Sequence, residues 1–218
     1  MTAEQISLLV WQGLLDSLYM VLISTALAHL VGIPMGIILV ITNSGHIAEN
    51  RTVNQVLGAV INMGRSIPFI ILLIFLLPFT RWVVGTSIGP TAVIPPLTIG
   101  AIPFVARMVE NSLKEIPWGV IEAALAMGAS PMQIISKVLI PEALPSLILG
   151  ATITTITLIG YSAMAGLVGG GGLGDIAMRY GYYRYETGLM LVVVVVLIVL
   201  VQVIQMIGDT IAHRIDKR

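Results

Sequence analysis

The sequence predicts an all-α membrane protein of five transmembrane helices, and three observations predict it. Of 218 residues, 57% are apolar and only 10% are charged, where a soluble domain carries about 25% charged residues. Five stretches are long and apolar enough to span a bilayer, whose ~30 Å core takes about 20 helical residues. The basic residues are also shared unequally between the connections on the two sides.

The first span is Ser17 to Ile41, free of Asp, Glu, Lys and Arg. It contains Gly32, Pro34 and Gly36, and the Gly32-x-x-x-Gly36 spacing suits close helix packing. No basic residue precedes Arg51, so this span is expected to be retained rather than cleaved as a signal peptide. The second span is Val53 to Phe79, interrupted by Asn62 and Arg65. The third, Thr91 to about Met108, is the weakest because of Pro95, Pro96 and Pro103. Leu144 to Gly166 is the fourth. Gly188 to Ile207 is the fifth and most apolar; its valine run is β-branched, but 20 residues are too many for one strand.

With the N-terminus outside, the inner side holds Arg51, Arg107, Lys114, Lys137, Arg214, Lys217 and Arg218, and the outer side holds Arg81, Arg179 and Arg184. Cytoplasmic loops are the basic ones, so the N-terminus is expected outside and the C-terminus inside. The 218 residues read as one domain, with a membrane core over about 13–207.

Composition and motifs also exclude function classes. Eleven basic and eleven acidic residues balance, leaving no basic field for nucleic acid. The absence of cysteine removes disulfides, thiolate nucleophiles and zinc–cysteine sites. No G-x-x-x-x-G-K-[ST] occurs, so no P-loop nucleotide site is expected on this chain. His29, His46 and His213 sit on separate segments without paired-ligand spacing, and no metal is expected. Gly160-Tyr-Ser162-Ala-Met164 lacks the second glycine of a nucleophile elbow. The run Gly169 to Gly174 reads as a flexible turn closing the fourth span on the outer side.

The longest inner connection, about 115–141, carries the most information. Pro117 suits a helix start. The helix then runs through Glu122, Ala123, Ala124, Ala126 and Met127, and Gly128 supplies a left-handed C-cap. After Ala129, Ser130-Pro131 reads as N-cap and first helical residue of a second helix, which Pro141 ends or kinks. Such a hairpin either lies on the lipid surface or docks a cytoplasmic partner, whose backbone Ala123-Ala124-x-Ala126 lets approach closely.

Glu122-Ala123-Ala124, Gly128, and Val138-Leu139-Ile140-Pro141 together resemble the E-A-A-x3-G-x9-I-x-L-P signature of the permease subunits of bacterial ABC importers, with Val138 and Ile140 as conservative departures. Arg65-Ser-Ile-Pro-Phe69, Gly85-Thr-Ser-Ile-Gly89, Pro103 to Asn111 and Gly160 to Met164 are similar to the methionine-uptake branch of that family, from about residue 10 to the C-terminus. The resemblance implies a type I ABC importer permease fold in the bacterial inner membrane. It implies a homodimer on two copies of a cytoplasmic P-loop ATPase, which uses ATP and Mg, served by an extracytoplasmic substrate-binding lipoprotein. It also implies that this chain is not itself an enzyme, and that Glu122, Ala123, Ala124, Ala126, Met127, Gly128, Ala129 and Ser130 form the coupling segment, with methionine, L- and D-, as substrate. A permease for another small nutrient, or a passive channel, is the alternative.

Polar residues inside a membrane usually face a bundle interior or a water path. Thr154, Thr157, Tyr161 and Met164 recur at spacings of three and four, so they share one helix face, with Ser162 beside them. Two readings stand: packing through hydroxyls bonded to their own backbone, or a pathway lining with Met164 at the outer gate. Arg65 is the other anomaly. It is expected either to pair with a carboxylate such as Glu110 or lie against backbone carbonyls, or else to meet a substrate carboxylate.

Overall fold

The computed structural model describes residues 2–216. Lys217 and Arg218, counted above to the inner side, lie outside the described residues. Among the described residues all regular structure is helical. Four helices are long and apolar enough to cross a membrane: Glu4–Ile41 within α1 (Ala3–Ile41), α5 (Pro90–Lys114), the continuous stretch Pro131–Val168, and α10 (Thr187–Ile215). A fifth crossing exists if one sharply bent pair counts as a single span.

That bent pair is α2 (Arg51–Ser66) and α3 (Phe69–Phe75), which meet at 96°. The second span is therefore not the straight helix expected over 53–79, and Pro68 is the reason. The residue before a proline is pushed out of the α region, and Ile67 accordingly sits at φ −84°, ψ 122°. The signal lay in the Ile67-Pro68 step rather than in the polar residues around it. A short α4 (Leu77–Val84) follows and ends on Gly85 at φ 84°.

α1 is longer than its apolar stretch. A capping box closes its start, in which Thr2 and Gln5 satisfy each other's backbone N–H. The helix runs unbroken through Pro34. It packs on α5 through Gly32 and Gly36: a β-carbon at Gly36 would come within 2.6 Å of Val109 Cβ and 2.7 Å of the Ala106 carbonyl oxygen. The small-residue spacing thus marks a helix contact in which only glycine fits. Ser24 Oγ adds an interhelical hydrogen bond to the Ile94 carbonyl at 3.3 Å.

α5 looked weakest in sequence, yet it is the best buried of the long helices. Leu97, Ala101, Val105 and Val109 enter the main core with Met20 of α1. Burial against neighbours compensates for the backbone bonds its prolines cannot make. α10, by contrast, leaves most of its valines exposed, as a lipid-facing helix must.

Two corrections concern turns. The segment before Pro141 does not end there. α7 (Pro131–Ile134) passes through a π-helical turn, Ile135–Leu139, directly into α8 (Ile140–Ala165). The Ile140 N–H bonds back five residues to Ile135, so the helix widens by one residue ahead of the proline instead of breaking. The glycine run after α8 is not flexible either. Gly172 begins a buried short helix, α9 (Gly172–Ile176), and Leu173 N–H donates to Ser17 Oγ at 2.9 Å. β-Carbons at Gly166 and Gly174 would overlap the backbone of Asp175 and of Ala163 respectively. These glycines are there for closeness. Gly85 and Gly89, at the same spacing as Gly32 and Gly36, have positive φ and open space around them, so their role is to turn the chain.

Candidate functional site

The glycine turn within residues 115–141 is built as its sequence predicts. α6 (Trp118–Ala126) starts after Pro117 and is capped at Met127. Gly128 adopts φ 77°. Its N–H donates to the Leu125 carbonyl at 2.9 Å and Ala129 N–H to the Ala124 carbonyl at 3.1 Å, the two-bond Schellman closure. Immediately afterwards Ser130 and Gln133 form a capping box, Ser130 N–H donating to Gln133 Oε1 at 2.8 Å. The backbone is satisfied locally on both sides of the turn, which fixes its shape without outside help.

What this turn presents is apolar. Met127 is 82% exposed and Met132 70%, with Leu125 and Trp118 also open. Glu122, Ala123, Ala126 and Ser130 are exposed and Ala129 half-buried. Ala124 departs from the expected small-residue face: it is buried with Ile121 in the main core. One side of α6 therefore anchors the segment, and Ala123 and Ala126 remain for an approaching surface. The Trp118 ring meets His46 edge-on at 5.5 Å, tying α6 to the α1–α2 connection. Burial pushes the His46 imidazole below its ordinary pKa.

The polar face of α8 is resolved into two parts. Thr154 is only 1% exposed, and its hydroxyl donates to the Gly150 carbonyl at 2.8 Å; Thr157 donates to Ile153 and Ser162 to Ile159. These hydroxyls are spent on their own helix. Thr154 and Ser162 are buried within the chain, so they do not line an open path in it. Tyr161 is half-buried, and Met164 is 46% exposed at the far end of the helix from Gly128.

Tyr161 has a structural partner that sequence reasoning missed. Its ring stacks on Phe69 at 4.5 Å, the planes 3° apart. Together they wall a cleft of about 210 Å³ at the α2–α3 bend, lined also by Gly64, Arg65, Ile67, Leu72, Gly100 and Phe104. Arg65 does not pair with Glu110. That carboxylate is buried and already bridged by Arg107 and Lys114, the latter at 2.7 Å. Asn62, three residues before Arg65 in α2, accepts from Arg107 Nη2 at 2.8 Å. Arg107 thus takes the place predicted for Arg65, and Arg65 is left lining the cleft. A larger open cavity of about 560 Å³ lies by Glu115, Glu142 and Asp216, away from the polar face of α8. Among the described residues no three of His, Asp and Glu come together to hold a metal ion.

The family profile described as the inner membrane component of binding-protein-dependent transport systems matches residues 32–218. The chain belongs to this family. It is a multi-pass permease subunit, a non-catalytic membrane component of an ABC transporter. Among the relatives of this permease, the probable D-methionine transport system permease protein MetI of Vibrio cholerae is 54% identical over 95% of this chain and 91% of its own. The D-methionine transport system permease protein MetI of Escherichia coli K12 is 54% identical over 75% of this chain and 76% of its own. In solved structures, a chain of the inward-facing MetNI methionine ABC transporter superposes with a TM-score of 0.97 at 51% identity, covering 99% of this permease and 100% of that chain. An amino acid ABC transporter solved with histidines matches at TM-score 0.77 and 20% identity, over 98% and 100% of the two chains, a likeness of fold.

Proposed function

We propose that this permease carries methionine, in both stereochemical forms, into the cytoplasm as half of a homodimeric membrane core. Two copies of a P-loop ATPase supply the work from ATP and Mg, and an extracytoplasmic lipoprotein delivers the substrate. The chain acts as a single domain, with its N-terminus outside and its C-terminus in the cytoplasm. The naming of its relatives for D-methionine transport supports the substrate.

One observation carries the mechanism: the rigid turn at Gly128, which holds exposed Met127 and Met132 on a self-satisfied backbone. Large exposed apolar groups on a fixed scaffold mark a protein contact, and methionine adapts to a partner that changes shape. Seated on the ATPase, residues 122–130 convey its closing and opening to the helices. Movement of packed helices then switches the path between its outward and inward states. Met164, about one helical turn from Tyr161, closes the outer end against its symmetry mate.

The test is reconstitution of the permease with its ATPase and binding protein in liposomes. ATP-driven uptake of labelled L- and D-methionine is expected, and Gly128→Trp is expected to abolish it while the permease still inserts. Undiminished uptake by Gly128→Trp would overturn the coupling role. Absence of methionine uptake by the unaltered complex would overturn the substrate. Met164→Cys should react with water-soluble thiol reagents in one nucleotide state and be shielded in the other; shielding in every state would remove it from the gate.

A further inference from the structure

We infer that the cleft at the α2–α3 bend is a substrate-carboxylate site within the permease, with Arg65 as its anion-binding group and the Phe69–Tyr161 stack as its wall. The inference rests on the methionine reading above and deepens it, because it says where in the chain the amino acid stops.

Three observations converge on the cleft. The first is an uncompensated charge. Arg65 is exposed and makes no hydrogen bond or ion pair among the described residues, so its guanidinium is open to an incoming anion. The neighbouring acid that would have served, Glu110, is already held by two other cations. The second is shape. Pro68 breaks the helix shortly after Arg65, the two halves diverge by 96°, and a hollow of about 210 Å³ lies between this bend, Gly100 and Phe104 of α5, and Tyr161 of α8. Pockets for drug-sized ligands run about 300–1,000 Å³, so this one suits a molecule the size of a single amino acid. The third is the division of its lining. Arg65 stands at one part of a wall whose open surface is mainly polar, while Phe69, Leu72 and Phe104 add a smaller apolar part. Tyr161 contributes both a ring face and a hydroxyl that donates to no protein acceptor among the described residues.

A zwitterionic amino acid with an apolar side chain matches that division. Its carboxylate accepts paired N–H bonds from the guanidinium fork, and a thioether side chain gains from contact with aromatic rings. The site is asymmetric in what it needs: the carboxylate is read strongly and the side chain weakly. Either stereoisomer can therefore place its carboxylate on Arg65.

The natural absence of cysteine makes the test direct. Ile67, which lines the cleft, is replaced by cysteine, and so is Phe75, which is exposed outside it, each in the reconstituted transporter. Labelling by a water-soluble thiol reagent is followed with and without methionine, or with methionine amide, which lacks the carboxylate. Methionine is expected to slow labelling of Ile67→Cys about 10-fold or more and leave Phe75→Cys unchanged, while the amide protects neither. Adding Arg65→Gln to Ile67→Cys is expected to weaken protection about 10- to 100-fold, the range of a lost charge-assisted bond, with Arg65→Lys in between. Equal protection by methionine and its amide, or protection that survives Arg65→Gln, overturns the site. Uptake of labelled methionine in the same liposomes separates the two failures. Transport without protection removes the cleft and leaves the methionine reading intact. Absence of transport by the cysteine-free protein removes the methionine reading and the site with it.

Discussion

Two glycine turns at opposite ends of the continuous stretch 131–168 do opposite things with the same residue. At Gly128 the chain uses the freedom of glycine: φ is 77° and nothing lies within 4 Å of where a β-carbon would sit. At Gly166 and Gly174 it uses the smallness of glycine, because each backbone rests against another backbone. The first turn stands out from the fold and the second is sealed into it, Leu173 and Ile176 being buried. The end proposed to meet the motor is fixed by its own hydrogen bonds, and the opposite end by its surroundings. An exposed turn therefore keeps its shape while unpartnered, and a crowded one keeps it only while the neighbouring helices are in place.

Substitution should separate the two most sharply at Gly174. Gly174→Ala sets a methyl against the Ala163 backbone, which cannot rotate away. We expect a loss of about 3 kcal/mol or more, seen as failure to accumulate in the membrane or a large fall in detergent-solubilised melting temperature. Gly36→Ala comes next. Its obstacle includes the Val109 side chain, which has some room to give, so about 1–3 kcal/mol is expected by the same measurement.

Gly128→Ala tests the other half of the comparison. No clash opposes it, and only the left-handed backbone is penalised, by about 1 kcal/mol. Gly128→Asn should recover most of that, since asparagine tolerates this conformation. If Gly128→Ala proved as damaging as Gly174→Ala in thermal unfolding, the distinction would collapse. The smallest effect concerns His46, beside Trp118 of α6. Burial lowers its folded-state pKa below the ordinary 6.5, so the unfolded chain binds the proton more readily. The stability it contributes is complete above about 6.5 and declines as pH falls toward the depressed folded value. A melting series from pH 8 to 5 should show this decline, and His46→Gln should flatten it.

What could be read in advance divides along the same line. Gly128, Ser130 and Pro131 were legible because a cap is a local agreement among adjacent residues, needing no knowledge of the rest of the fold. Gly32 and Gly36 were legible as a packing pair because their spacing keeps them on one helix face. The Gly169 to Gly174 run was read as a flexible turn, but its constraint comes from Ala163, Ser17 and Val93, and no local pattern reports a distant neighbour. α5 was undervalued for its prolines for the same reason: its burial is supplied by α1 and α8. On the α8 face, periodicity placed Thr154, Thr157, Tyr161 and Met164 together. It had no means of showing that Thr154 is enclosed, or that Phe69 from a bent helix would cover Tyr161. Of the alternatives for Arg65, pairing with Glu110 does not occur, since Glu110 lies a helical turn from both Arg107 and Lys114 and is claimed by them.

The π turn at Ile135–Leu139 has a mechanical consequence. Because it carries the helix past Pro141 without a joint, residues 131–168 form one strut of about 57 Å at 1.5 Å per residue. No slack loop separates Ser130 from Met164 to absorb a push. Tilt or torque applied at one end arrives at the other through the widened turn and Pro145. A motor at the near end would thus act on the far end as a hand acts on a key.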